Sequence, residues 1–289
     1  MKTAARGRAT LIGFSAVALW SLLALFTVGS APVPPLQLNA MTFAIGGAIG
    51  LVWVARTGGL GQLLAVPWRI YAFGTAGLFG YHFLYFSALR MAPPAEAGLI
   101  AYLWPLLIVL VSGLLPGEKL RRAHIVGALM AFTGAALIVA GGRGTGGALL
   151  QPGHLLALLC ALTWAGYSLI SRRLGAVPTA TVAVYCLATA ALSVPAHLAL
   201  EETVWPSGAI GWGAVAALGL GPVGLAFYTW DVGVKRGDIQ MLGTASYAAP
   251  LLSTLILVLA GKATASASLA MAALLIAGGA MLAAHAARR

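Results

Sequence analysis

The side chains able to do chemistry in this sequence are mostly polar aromatics. Leu78, Tyr81, His82 and Tyr85 recur at i, i+3, i+4 and i+7, which puts them on one stripe of a helix. Phe79, Phe83 and Phe86 take another face. A following helix carries Tyr102 and Trp104, while Trp20 and Trp164 stand near the middle of two further apolar runs. Flat side chains stack on a flat ligand at about 0.5–1.5 kcal/mol per ring pair beyond area burial. An indole or phenol face also holds an ammonium group. His82 admits three roles: a neutral imidazole bonded to cargo, a structural histidine with its bonds satisfied, or a carrier of a coupled proton.

What is missing narrows the chemistry. An enzyme needs a nucleophile with a base, a carboxylate pair or a metal cluster. Near mid-run only His82 can ionise, because His124, His154, His197 and His285 fall at helix ends. Cys160 and Cys186 read as small apolar residues and make no metal site or disulfide framework. A phosphorylated ligand would call for buried Lys or Arg, and a cationic one for a buried carboxylate. The expected cargo is therefore a small molecule that is neutral or zwitterionic, with no cofactor and no metal.

These residues need a container, and the composition says which kind. The chain has 289 residues, 61% of them hydrophobic and 8% charged. No water-soluble fold of that length hides so much apolar surface, whereas about 20 apolar residues cross a bilayer as a helix. Ten such runs are expected, at 10–29, 36–55, 68–89, 94–115, 122–141, 153–173, 179–199, 209–234, 239–260 and 267–286. With the N-terminus in the cytoplasm, every Lys and Arg except Arg90, Arg143 and Lys262 falls inside. That bias fixes orientation and puts both termini in the cytoplasm; the net charge of +11 is no nucleic-acid signal. The first run is long for a secretory signal peptide and reads as a span. Trp53, Trp68, Trp205 and Trp212 fall at run ends, where aromatic belts form. Glu96 suits a helix N-terminus, and Asp231 suits an i,i+4 ion pair with Lys235 or a gate contact.

A shift of 145 residues lays Tyr102 on Tyr247, Pro105 on Pro250, Gly98 on Gly243 and Gly134 on Gly279. Trp20 and Trp164 correspond at a shift of 144. Five spans per half is an odd number, so the second half must enter the membrane upside down. The expected architecture is all-α: ten transmembrane helices as an inverted repeat of five plus five around a central cavity. Residues 1–142 form one half, 153–289 the other, and 143–152 the connecting loop. The cavity would be lined by Trp20, Leu78, Tyr81, His82, Tyr85, Tyr102, Trp104, Trp164, Tyr228 and Tyr247. Trp104 would shape the pocket, with Tyr102 and Tyr247 nearer the symmetry axis. Pro105 and Pro250, each costing a helical bond, and Pro222 among glycines would act as hinges.

The ten-span pattern resembles the drug/metabolite transporter superfamily, built from two EamA repeats. The marks of the first repeat are Pro105, Gly117-Glu118 and a glycine-spaced fifth span with Gly127 and Gly134. The second repeat departs, with Gly261-Lys262-Ala263 at the Gly-Glu position. Trp20, Tyr81, His82, Tyr85, Tyr102 and Trp104 resemble more narrowly the YddG-type exporters of aromatic amino acids. The resemblance implies a multi-pass bacterial inner-membrane exporter of aromatic amino acids working by alternating access. The alternative within transporters is a broad-specificity drug or metabolite exporter, which could be proton-coupled. A channel or a membrane enzyme fits less of the pattern. Oligomeric state is left open.

Overall fold

The computed structural model describes residues 2–92, 97, 100–140, 151–259 and 267–287. Glu96, Gly98, the loop 143–152 up to residue 150, and Gly261-Lys262-Ala263 lie outside the described residues. Among the described residues the fold is all helical. The first half holds α1 (Lys2–Trp20), α2 (Leu23–Gly29), α3 (Pro35–Arg56), α4 (Leu60–Leu64), α5 (Trp68–Met91), α6 (Trp104–Ser112) and α7 (Arg122–Ala140). The second half holds α8 (Pro152–Arg173), α9 (Thr181–Leu200), α10 (Gly208–Leu220), a π-turn (Gly221–Leu225), α11 (Ala226–Arg236), α12 (Ile239–Ala245), α13 (Ala248–Leu259) and α14 (Ala267–Ala287).

Five stretches among the described residues are long and apolar enough to cross a bilayer: Ala4–Thr27, Pro35–Arg56, Pro152–Arg173, Thr181–Leu200 and Gly208–Arg236. Ile210, Leu198, Leu274 and Met281 are exposed. Such apolar outer surface is a liability in water and is at home in lipid. The chain is an all-helical, multi-pass membrane protein.

Four of the expected runs are broken. The first turns at Ser21-Leu22, the fourth at Tyr102-Leu103 and the ninth at Ser246-Tyr247; the eighth passes through the π-turn. The breaks in the fourth and ninth runs fall at matching places of the two halves. They also correct the expectation for the prolines. Pro105 is the second residue of α6 and Pro250 the third of α13. Each lies in the first turn of a new helix segment, where a missing N–H costs little, and not inside an unbroken one. The next orphaned donor, the Leu106 N–H, finds the Tyr247 hydroxyl at 3.1 Å. One half thus caps the broken helix of the other.

The packing is built from close antiparallel pairs. Gly127 of α7 lies against Gly279 of α14, and Gly134 against Ala272. As one number rises the other falls, so these two helices run in opposite directions. The shift of 145 turns the first contact into the second, so the pair maps onto itself. Helices α3 and α9 also pair, with Gly47 on Leu187 and Gly50 on Ala183. The pair α1–α11 meets at Gly13 and Gly233, while α5–α8 meets at Gly77 and Tyr167; the shift exchanges these two pairs. At one end the Glu201 carboxylate accepts the N–H groups of Leu36 and Gln37 at 3.0 and 3.1 Å. It caps α3 from the end of α9.

Candidate functional site

The broken helices and the antiparallel pairs deliver aromatic side chains to one place. Trp20, at the end of α1, contacts Trp230 (ring centroids 5.1 Å), Trp164 (5.7 Å), Trp104 (6.2 Å) and Phe227 (6.2 Å). Tyr81 reaches Trp164 at 5.2 Å and stacks on Tyr85 at 6.0 Å. His82 meets Tyr81 at 5.1 Å, Phe43 at 4.9 Å and Phe227 at 5.9 Å. Helices α1, α3, α5, α6, α8 and α11 contribute, so the cluster lies where the two halves meet. Trp104, Trp164, Trp230 and Phe227 are buried, whereas Trp20, Tyr81, His82 and Tyr85 are half-buried.

The cluster is built of apolar and aromatic side chains, with the Asp231 carboxylate within electrostatic reach of Tyr167. Its polar atoms divide into engaged and unengaged. The Trp20 indole donates to the Pro222 carbonyl at 3.1 Å. The π-turn shifts the register there, so that Ala226 N–H reaches back to Gly221 O. The Trp230 indole donates to Ser168 Oγ at 3.0 Å. His82 Nδ1 lies 2.7 Å from the Leu78 carbonyl, and since a carbonyl only accepts, that nitrogen carries the proton. The indole N–H groups of Trp104 and Trp164 donate to no described residue. Among the described residues neither nitrogen is a fully buried atom without a partner, so each keeps some accessible surface.

Of the residues expected to line one cavity, Trp20, Leu78, Tyr81, His82, Tyr85, Trp104 and Trp164 come together. Tyr102 sits in the break before α6 and within electrostatic reach of Tyr85. Tyr228 packs at the edge of the same core without a ring contact to these tryptophans, and Tyr247 lies in a separate cluster. The Tyr228 hydroxyl donates to the Gly46 carbonyl at 3.0 Å. Tyr247 packs with Ala131, Leu251 and Ile276 and against the Phe132 ring. Trp104 touches the Trp20–Trp164 pair, while Tyr247 packs with the equivalent residues Ala131 and Ile276 and accepts the Leu106 N–H.

Sequence reasoning missed Phe227 and Trp230. The signal was present, because the shift of 145 carries the stripe Leu78, Tyr81, His82, Tyr85 onto Val223, Ala226, Phe227, Trp230. It also missed Phe43 and Tyr167, which stack on Phe227 (5.4 Å) and Trp164 (5.2 Å) from apolar runs that look unremarkable.

A web of ion pairs closes the end that carries most basic residues. Glu118, one residue past Gly117 with its left-handed φ of 80°, binds Arg172 and, at 3.1 Å, Arg6. Arg6 also reaches Asp238 at 3.3 Å. The Arg172 guanidinium donates to the carbonyls of Val234, Lys235 and Gly237 at 2.9–3.1 Å, where a cation suits the end of α11. Asp231 and Lys235 form the expected i,i+4 pair at 2.8 Å. Thr179 donates to Asp231, and Lys235 to the Val177 carbonyl, so the pair also ties α11 to the α8–α9 turn.

The sequence signature of the EamA-like transporter family matches the chain twice, at residues 7–140 and 151–284. The aromatic amino acid exporter YddG of Ancylobacter novellus is 57% identical over 288 residues, covering 98% of this chain and 99% of that one. The exporter of the same name from Salmonella typhimurium is 28% identical over 98% of both chains. A solved structure titled only as a crystal structure of protein superposes with a TM-score of 0.91 at 55% identity, over 98% of this chain and 100% of that one. A doubled transporter signature, a full-length relative and antiparallel equivalent helices lead to one statement: the chain belongs to the EamA-like transporter family.

Proposed function

We propose that the protein exports aromatic amino acids across a bacterial inner membrane by alternating access. In this reading ten spans form a five-plus-five inverted repeat with both termini in the cytoplasm, and the aromatic cluster is the cargo site. The observation that carries it is the pair of indole N–H groups, on Trp104 and Trp164, that donate to no described residue and keep some accessible surface beside the clustered rings. A cargo carboxylate supplies the acceptor they lack, and its ring takes a place in the stack formed by Trp20, Tyr81 and Trp164. The ammonium group sits over an indole or phenol face. The antiparallel equivalence of α7 with α14, and the exchange of α1–α11 with α5–α8, support two mirror-related conformations of similar energy. The Glu118 web is the gate on the basic, cytoplasmic side. The names of the relatives agree with this cargo class.

Counterflow in reconstituted vesicles tests the reading. Labelled tryptophan and phenylalanine exchange readily while threonine does not. Threonine moving as fast as tryptophan would remove the aromatic assignment.

A further inference from the structure

Away from the ring cluster, α3 and the eighth run enclose a recess of about 340 Å³ lined by Gly46, Ile49, Gly50, Trp53, Leu225 and Tyr228. Its apex is tight, because Gly46 and Gly224 meet backbone to backbone. The Tyr228 ring lies on Gly50, and its hydroxyl is already engaged with Gly46. Contacts 46–224 and 50–228 rise together, so the two helices run parallel toward the same membrane end. Below the π-turn they part, which leaves a furrow open on its outer side, and Trp53 and Leu225 are exposed along it.

Both walls end in a cation. Arg56 stands seven residues after Ile49, so it shares that face of α3 one turn below Trp53. Arg236 stands eleven residues after Leu225, three turns on and on the same face. By helical rise Arg56 lies about 9 Å beyond Gly50 and Arg236 about 12 Å beyond Tyr228. Both are exposed, and neither forms an ion pair with a described residue. An apolar furrow in the membrane-spanning region, with an indole and two guanidinium groups at its mouth, has the chemistry of a lipid cradle.

We propose that the furrow between α3 and α11 holds an acyl chain of one anionic phospholipid, with Arg56 and Arg236 binding its phosphate. The chain lies against Ile49, Trp53 and Leu225. Arginine matches phosphate oxygens in a bidentate manner, and one stands at the end of each wall. This site is separate from the cargo cluster and stands whether or not the cargo assignment does.

Native mass spectrometry of the full chain, with equimolar phosphatidylglycerol and phosphatidylcholine of the same acyl length, tests it. The wild type retains one phosphatidylglycerol in preference to phosphatidylcholine by roughly tenfold or more. Arg56→Gln with Arg236→Gln brings the two lipids near parity. Arg122→Gln with Arg173→Gln, which removes exposed cations elsewhere, keeps the preference. Leu225→Trp, which fills the furrow, lowers retention of both lipids. Equal retention of the two lipids by the wild type overturns the proposal, as does an equal loss in the control pair. Displacement of the lipid by saturating tryptophan would make the furrow a cargo entrance and would overturn it too.

Discussion

Trp20 and Trp164, 144 positions apart and equivalent in the two repeats, meet edge to face with ring centroids 5.7 Å apart and planes at 76°. Equivalent residues of two halves related by a two-fold axis touch each other only beside that axis. The aromatic cluster is therefore built around the line about which the halves exchange roles. Cargo held there meets similar walls whichever side is open.

The Trp20 indole bond to Pro222 ties the first half to the π-turn of the second. Trp20→Phe keeps a ring but loses that bond, worth about 0.5–1.5 kcal/mol. If the bond belongs to the moving part, turnover should fall several-fold while tryptophan affinity changes little. Parallel measurements of counterflow rate and equilibrium binding check this.

Trp104→Phe and Trp164→Phe keep stacking and remove donors. If the donors serve a carboxylate, each substitution costs about 1.5–3 kcal/mol of cargo affinity, or roughly 10- to 150-fold. Titration calorimetry with tryptophan and with tryptophanamide separates the effects. The amide lacks the carboxylate and should discriminate much less between wild type and variants.

Glu118→Gln removes the negative partner shared by Arg6 and Arg172. Losing one side of a buried, charge-assisted contact costs about 1–3 kcal/mol, so the basic end should open about 5- to 150-fold more often. The native Cys160, whose thiol lies against the Tyr81 carbonyl at the cluster, reports it. In a Cys186→Ala background, a charged thiol reagent applied from the basic end should label Cys160 severalfold faster in the variant.

Tyr247→Phe leaves the Leu106 N–H without its acceptor. The expected cost is about 1–3 kcal/mol of stability, seen as a lower midpoint of thermal inactivation. Cargo affinity should be unchanged, since Tyr247 lies in a cluster apart from the Trp20–Trp164 pair.

Much of this was legible from sequence because lipid imposes simple rules. Hydropathy found the five stretches long and apolar enough to cross a bilayer, helical periodicity put Tyr81, His82 and Tyr85 on one stripe, and matched tryptophans pointed to the repeat. Asp231 and Lys235 were legible as a local pair. Where reading failed, the deciding contacts were long-range and satisfied backbone groups. Tyr247 looked like the partner of Tyr102, but an orphaned N–H across the interface claims it. Tyr228 looked like a lining residue, but the Gly46 carbonyl and the bare surface at Gly50 draw it away. The role of Glu118 also escaped local inspection, because Arg6 and Arg172 lie 112 and 54 positions away.

The most direct test of the account is to locate the cargo. A photoreactive tryptophan analogue, crosslinked in reconstituted membranes and mapped by peptide mass spectrometry, should label Trp20, Tyr81, His82, Trp104 or Trp164, and excess phenylalanine should suppress the labelling. Labelling concentrated at Trp53 and Tyr228, or at the ends of the helices, would contradict it.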